Sequence, residues 1–139
     1  MSLALLDTHA WVWLMNGSEQ LGPKARKAIQ RSLGDEAVLV SAISAWEVAM
    51  LASKGRLVLD RDVGEWIHAA LAVPGLRLEP ISHEVAVAST RLPGLLHADP
   101  ADRLIMATAR HCRATLVTAD QVLIGYGKAG HIRTLHAGL

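Results

Sequence analysis

The chain alternates short apolar runs with longer segments that carry a helical pattern, and this alternation constrains its fold more than any other feature. The runs that we interpret as β-strands are Leu3–Leu6, Ala37–Val40, Leu76–Ile81, Thr115–Thr118 and Ile132–Leu135. Strands separated by helices are typical of a parallel sheet with helices packed on both faces. The sequence therefore predicts an α/β fold, a three-layer α/β/α sandwich around a mainly parallel sheet.

Helix start and stop signals divide the segments between these runs. The predicted helices are Thr8–Met15, Pro23–Leu33, Ser44–Lys54, Arg61–Ala72, a helix that Ser82 caps and that extends to Leu92, one that extends to Arg113, and a short helix that starts at Asp120 and fades at Gly125 and Gly127. Proline in a first turn and glycine after a last turn support several of these bounds. Because Arg77 and Glu79 alternate with leucines, we expect the third run to be an edge strand.

Composition limits the class of protein. With 139 residues, 51% of them hydrophobic, the chain can bury a core, and we predict a single domain over residues 1–139. No apolar run approaches the roughly 20 residues that cross a bilayer, and the start MSLALLD lacks the basic region of a signal peptide. One cysteine, Cys112, suits a reducing compartment, so we expect a cytoplasmic protein without membrane contact. A net charge of +1 means that any contact with nucleic acid depends on local basic residues.

Acidic residues stand at positions that a parallel sheet brings to one edge. Asp7 directly follows the first run, and Asp120 follows the fourth run by one residue. Glu47 lies in the first turns of the helix after the second run, and Asp102 lies in the first turn of the helix before the fourth. Such sheets bind ligands beyond the carboxyl ends of their strands, so these four carboxylates are candidates for one shared site.

Each acid also has a simpler interpretation as a helix cap. Asp7 and Asp120 stand where an aspartate commonly caps a helix. Ser44 with Glu47 matches a capping box, and the stretch HADPADRLI has the same spacing, with proline at the first helical position. Taken one at a time, these acids do not distinguish capping from chemistry.

Taken together, the acids favour a metal site. Carboxylates that converge in apolar surroundings repel one another and raise one another's pKa values. A divalent cation removes that penalty, and carboxylate oxygens suit Mg²⁺ or Mn²⁺ better than zinc. The seven histidines show no ligand spacing, and only His9 and His97 lie near the acids in sequence.

Four sequence blocks carry a resemblance to a known family. LLDTHAWVW, SAISAWEVA, HADPADRLI and TLVTAD resemble the four acid blocks of the PIN domain, most closely those of the VapC-type toxins of bacterial toxin–antitoxin pairs. The resemblance extends from Leu5 to Asp120 with order and spacing intact. It implies an α/β/α sandwich with an acidic pocket, and cleavage of RNA that depends on Mg²⁺ or Mn²⁺.

The resemblance also implies roles for single residues. By position, Asp7, Glu47, Asp102 and Asp120 are similar to the four acids of the family. The aspartates would bind the metal, with Glu47 acting through water, and Glu47 or Asp120 would orient the attacking water. Thr118 resembles a position that supports the site.

Two further residues near the third acid keep alternative interpretations. Asp99 is assigned to the cap of the helix rather than to the metal, because relatives often have another polar residue there. Arg103 either forms a salt bridge that orients a site carboxylate, which we favour, or contacts phosphate. The tryptophans, Trp11, Trp13, Trp46 and Trp66, are expected in the core or at a protein interface. The family likeness implies an RNA substrate, a cognate antitoxin protein and a homodimer.

Two other classes of function remain open from the sequence. A receiver-like signalling domain also has an acidic Mg²⁺ pocket, but it needs paired acids after the first strand and a lysine at a late strand end, and the blocks LLDTHAW and TLVTAD offer neither. A phosphatase with an aspartyl nucleophile needs a second aspartate where His9 stands. The other class that remains open is a partner-binding domain without catalysis, in which every acid is only a helix cap.

Overall fold

The predicted apolar runs form one parallel sheet in the computed structural model, which describes residues 3–94 and 97–139. Within this part of the chain, the strands are β1 (Ala4–Leu6), β2 (Val38–Ser41), β3 (Leu76–Glu79), β4 (Thr115–Thr118) and β5 (Arg133–His136). Their order is β3-β2-β1-β4-β5, and every neighbouring pair is parallel. The third run is an edge strand, as its alternation predicted.

Helices fill the connections between the strands, close to the predicted bounds. They are α1 (Thr8–Met15), α2 (Pro23–Gly34), α3 (Ala42–Ser53), α4 (Val63–Leu71), α5 (His83–Ser89), α6 (Pro100–Cys112) and α7 (Gln121–Lys128). Several bounds differ from the prediction, and α3 begins at Ala42 rather than at Ser44. α4 starts later because Asp62 caps it, α5 ends at Ser89 rather than at Leu92, and α7 continues through both of its glycines to Lys128.

Alternate side chains of the strands point into two separate apolar cores, one on each face of the sheet. Leu5 packs with the buried face of α6, which includes Ile105 and Met106. Leu6 packs on the other face, where Trp11 and Val40 are also buried. Burial of a leucine or isoleucine side chain contributes about 1.5–3 kcal/mol, so both layers stabilise the sheet. This arrangement confirms the predicted α/β/α sandwich.

The tryptophans divide between core and surface. Trp11 and Trp66 are buried and meet edge to face, with ring centroids 5.2 Å apart. Trp46 is 56% exposed. The prediction of a core position is therefore confirmed for Trp11 and Trp66. In the described part of the chain, no helix has the length and apolar character needed to cross a bilayer.

The position of β1 determines where a site can form. β1 lies between β2 and β4, and its last residue, Leu6, pairs with Val40 on one side and Val117 on the other. The chain therefore leaves the three central strands at the same edge, and the sheet order extends outward from β1 in both directions. In doubly wound sheets, this is the point where ligands bind.

Candidate active site

The carboxyl edge of the sheet holds a pocket of about 350 Å³ that brings the predicted acids together. Its lining includes the side chains of Asp7, Glu47, Asp99, Asp102 and Asp120. Thr8, His9 and Trp13 from α1 complete one wall, and Ile105 and Ala119 contribute apolar surface. Acids that are far apart in the sequence therefore share one cavity.

Asp7 is the buried acid at the base of the pocket, with 5% of its surface exposed. One carboxylate oxygen accepts a hydrogen bond from the backbone N–H of Ala10 at 2.8 Å, so Asp7 caps α1 as the sequence suggested. The other oxygen accepts from the hydroxyl of Thr118 at 2.5 Å. Burial raises the pKa of Asp7, and these two hydrogen bonds offset part of that rise.

Thr118 connects two of the acids. Its hydroxyl donates to Asp7 and accepts a hydrogen bond from the backbone N–H of Asp120 at 3.0 Å. Thr118 is fully buried at the end of β4, so its rotamer is fixed by the core around it. The side chain that the family likeness marked as supporting thus touches both the first acid and the backbone of the last.

Glu47 is held by α1 rather than by a cap of its own helix. The hydroxyl of Thr8 donates to Oε1 of Glu47 at 2.6 Å and is hydrogen-bonded at 2.9 Å to the buried hydroxyl of Ser44. The predicted capping box was wrong, because α3 begins at Ala42 and its cap is Ser41, whose side chain accepts from the N–H of Ile43. Thr8 was missed as a site residue, although its place directly after the first acid was a signal.

Asp120 and Asp99 both stand at helix N-caps, yet only one of them caps with its side chain. Oδ1 of Asp120 accepts from the N–H groups of Val122 and Leu123 at 2.8 and 3.2 Å. Asp99 is at the N-cap of α6 without a side-chain cap hydrogen bond, so the predicted capping role of its carboxylate was wrong. Its side chain instead lines the acid pocket.

The pKa of Asp102 reflects its burial and the combined negative charge of the pocket. Burial and the neighbouring charges of Asp120, Glu47, Asp99 and Asp7, in that order, raise its pKa to about 6. Each of the other four acids thus acts on this one carboxyl group. Helix capping accounts for Asp7 and Asp120, but it does not account for Asp102 or Glu47, which face the pocket without capping a helix.

Arg103 does not neutralise the pocket. Its Nε donates to the carbonyl oxygen of Ala98 at 3.3 Å, and Nη1 donates to that of Ser89 at 3.5 Å. Within residues 3–94 and 97–139, no carboxylate lies at ion-pair distance from it. The favoured prediction of a salt bridge was therefore wrong, because the guanidinium joins the end of α5 to the start of α6 through backbone carbonyls.

The chemistry of the donor set fits a hard divalent cation. Carboxylate oxygens from separate elements line the pocket, and burial together with the neighbouring negative charges raises the pKa of Asp102. In the described residues, however, no three Asp, Glu, His or Cys side chains are arranged to hold an ion as they stand.

Comparison with known proteins identifies the family and the fold. The sequence profile of the PIN domain matches residues 4–128. This chain belongs to the PIN domain family. The likeness to VapC-type members is also confirmed, since the PIN domain is 37% identical over 123 residues to the protein named Ribonuclease VapC22 of Mycobacterium tuberculosis. That alignment covers 88% of this chain and 91% of the relative.

Solved structures share the fold of this PIN domain. A structure of VapBC2 from Rickettsia felis, bound to a DNA fragment from its promoter, has a TM-score of 0.70 at 18% identity, with 96% of this chain and 97% of that chain covered. A structure of DNA-bound VapBC from Salmonella typhimurium has a TM-score of 0.68 at 16% identity, with 97% and 98% covered. At these identities the likeness establishes the architecture.

Proposed function

We propose that this PIN domain is an endoribonuclease toxin that hydrolyses RNA phosphodiester bonds at the acid pocket with Mg²⁺ or Mn²⁺. The observation that carries this proposal is the gathering of five carboxylates in one pocket, where they raise the pKa of Asp102 to about 6. A relative that is 37% identical over most of the chain is named a ribonuclease, which supports RNA as the substrate.

Asp7, Asp102 and Asp120 are the residues that would hold the ion. When bound, a divalent ion lowers the pKa of a water molecule and offsets the negative charge of the phosphate. Thr118 fixes the direction of the Asp7 carboxylate and the backbone of Asp120, so the first and last ligands keep a constant relation. Correct placement of ligands by such hydrogen bonds is typically worth 10- to 100-fold in activity or metal affinity.

Glu47 and Asp120 are the candidates that orient the attacking water and accept its proton. Thr8 holds one oxygen of Glu47, and the cap of α7 holds one oxygen of Asp120, which leaves the second oxygen of each for a water molecule. The partial positive charge at the N-terminus of α7 adds to the stabilisation of negative charge beside Asp120.

An antitoxin is the partner that we propose for this protein. Similar folds occur in structures described as VapBC and FitAB, and one related structure is described as a toxin–antitoxin complex from Klebsiella pneumoniae. A homodimer and a cytoplasmic location complete the proposal, both by analogy with the family.

Cleavage of a panel of structured RNAs, including transfer RNA, tests the activity. We expect wild-type protein to cut at least one RNA with Mg²⁺ or Mn²⁺ and to lose that activity in a chelator. Asp102→Asn should be inactive, whereas Asp35→Asn, an exposed aspartate at the end of α2, should match the wild type. Full activity of Asp102→Asn, or equal activity with and without metal, would contradict the proposal.

Expression in a bacterial host tests the toxin role. We expect wild-type protein to arrest growth, and co-expression of the cognate antitoxin to restore it. Asp102→Asn should permit growth and still bind the antitoxin. Growth arrest by this inactive variant would favour the alternative of a partner-binding domain without catalysis.

A further inference from the structure

A cationic cleft lies at the end of the sheet opposite to the acid pocket. The end of α6 and the turn before β5 enclose a cavity of about 430 Å³ there. Its polar lining includes Arg110, Arg113, His131 and Arg133, and we call these four residues the arginine cleft. Among the described residues that line it, none is acidic.

The contacts of these arginines leave their charge unbalanced. Nη1 of Arg110 donates to the carbonyl oxygen of His131 at 2.7 Å, and Nη2 of Arg133 donates to that of Arg113 at 2.6 Å. Carbonyl oxygens orient a guanidinium without neutralising it. In the described part of the chain, no Asp or Glu lies at ion-pair distance from any of the three arginines. Most of their N–H groups therefore remain for another acceptor.

The backbone of Arg113 points to a role for its side chain. Arg113 ends α6 in the left-handed conformation, with φ of 54°. Glycine or asparagine is the usual residue at such a helix end, because other side chains are strained there. An arginine at this position is unfavourable for the fold, and the side chain that it places at the cleft is fully charged.

Helix α7 connects the arginine cleft to the acid pocket. Asp120 caps its first turn and lines the acid pocket, and Gly130, just beyond its end, lines the cleft. The eight residues of α7 span about 12 Å, which equals roughly four nucleotides of a stacked strand at about 3.4 Å each.

Helix α7, which lies between the two sites, carries no acidic side chain after its cap Asp120. Residues 121–139 contain no Asp or Glu, and the exposed positions of α7 include Gln121, Val122, Gly125 and Lys128. A side chain at Gly125 would meet no atom within 4 Å, so packing does not require glycine there. A phosphate backbone that lies along this side of α7 would therefore meet no acidic side chain of the helix beyond Asp120.

We propose that the arginine cleft binds phosphates of the RNA whose scissile bond lies in the acid pocket. This inference rests on the proposed ribonuclease function. An acid pocket repels a polyanion, and an ion bound there acts only on the phosphate beside it, so cations elsewhere on the protein would attract the rest of the substrate. The planar fork of donors in arginine matches phosphate oxygens. Contacts that are equally strong in the ground state and the transition state lower KM without changing kcat, and we expect the cleft to act in this way.

A purely structural explanation makes a different prediction. Arg110 and Arg113 lie at the carboxyl end of α6, where positive charge is favourable for the helix dipole. In that case the arginines would affect stability slightly and RNA binding not at all. The two explanations therefore separate in a binding experiment.

Two triple variants provide the test. The first, Arg110→Gln with Arg113→Gly and Arg133→Gln, removes the charge of the cleft. The control, Lys24→Gln with Lys27→Gln and Arg31→Gln, removes the same charge from exposed positions of α2. Binding of a fluorescein-labelled single-stranded RNA of about twelve nucleotides is measured by anisotropy in chelator, so that no cleavage occurs, at several salt concentrations.

We expect the cleft variant to bind this RNA about 30-fold more weakly than wild type, and the slope of log affinity against log salt to fall by about 2. The control should bind like the wild type. With Mg²⁺ or Mn²⁺ added, KM for the long RNA should rise while kcat is unchanged. A cleavable RNA of about two nucleotides, shorter than the roughly four that match the length of α7, should be cut equally by both proteins.

Three results would overturn the inference, and none of them requires the ribonuclease function to fail. Equal RNA binding by the cleft variant and wild type is the first. Equal weakening by both triple variants is the second, because it would reduce the effect to net charge. Tighter binding of poly-glutamate than of RNA to the wild-type cleft is the third, since it would assign the surface to an acidic protein segment. Failure of wild-type protein to cleave any RNA would instead contradict the proposed function.

Discussion

The two ends of the sheet carry opposite charges and are built in opposite ways. At the carboxyl edge, five acids line one pocket, and hydrogen bonds from buried hydroxyl groups hold Asp7 and Glu47 in place. At the amino edge, exposed arginines surround a cleft and bond only to backbone carbonyls within the described chain. Although the net charge is only +1, acidic and basic side chains are concentrated at opposite ends of the sheet. The net charge of a protein therefore does not indicate where on its surface a polyanion can bind.

The largest expected effect is at the carboxyl edge and concerns Asp7. Asp7→Asn keeps an acceptor for the N–H of Ala10 but removes a charged ligand, so we expect RNA cleavage to fall by about 10³-fold. The same change removes a buried charge, so the free energy of unfolding should not fall. Single-turnover cleavage and urea unfolding measure the two. A parallel loss of activity and stability would mean that Asp7 serves the fold rather than the chemistry.

The second-largest expected effect concerns Thr118 at the carboxyl end of β4, which we compare with Thr115 at the amino end of the same strand. Thr118→Val removes the hydroxyl that Asp7 and the backbone of Asp120 share, so we expect activity to fall about 10- to 100-fold and stability by about 1–3 kcal/mol. Thr115→Val, at the amino end of β4, is the matched control and should change stability by less than about 0.5 kcal/mol. Thr118→Ser should restore most of the activity. Equal effects at both ends would remove the distinction between them.

A smaller effect concerns the pH dependence of stability without metal. The pKa of Asp102 is about 6 in the folded protein against 3.8 for an unperturbed group, so the folded state holds the proton more tightly. The contribution of Asp102 to the free energy of unfolding is therefore fully present below about pH 4, and it is lost as the pH rises through about 6. Allowing for solvent screening, we expect a decline of about 1 kcal/mol, and the raised pKa of Asp7 acts in the same direction.

Thermal or urea unfolding in chelator across this pH range checks the prediction. In Asp102→Asn, the part of the fall in stability that is due to Asp102 should be absent. The variant should therefore be more stable than wild type above about pH 6 and equally stable near pH 4. Stability that rises with pH over the same window in the wild type, but not in the variant, would show that a positive group compensates Asp102.

The smallest expected effect is at the amino edge. Arg113→Gly relieves the left-handed backbone but removes a favourable interaction with the helix end, so we expect a net gain of about 0.5 kcal/mol in the free energy of unfolding. Arg133→Gly lacks the first benefit and should be neutral or destabilising. A loss of stability in Arg113→Gly would mean that the arginine is needed for the fold at that end.

Much of this fold follows from the sequence because its signals are local. Runs of apolar residues marked the strands, and α1 has its predicted bounds, Thr8–Met15. The gathering of the acids was also predictable, since parallel strands bring their ends to one edge. The part played by the acids in catalysis remains a prediction.

Features that depend on contacts between distant segments were not predictable. Ser44 fits a capping box in the sequence, but Ser41 ends a strand and begins the helix directly, so the true cap lies one turn earlier. Arg103 bonds to carbonyl oxygens whose availability depends on how α5 ends. The arginine cleft forms because residues about twenty positions apart meet at one turn, as the bond from Arg133 to Arg113 shows.

The hydrogen bond between Thr118 and Asp7 joins residues 111 positions apart. β4 pairs directly with β1, so one side of the central strand stays unpaired until a segment 111 residues further along the chain has been synthesised. Long-range strand pairings of this kind form late, because the intervening loop must first be closed. A growing chain on the ribosome thus carries no finished pocket before Asp120 has been synthesised, and whatever that pocket does cannot begin earlier.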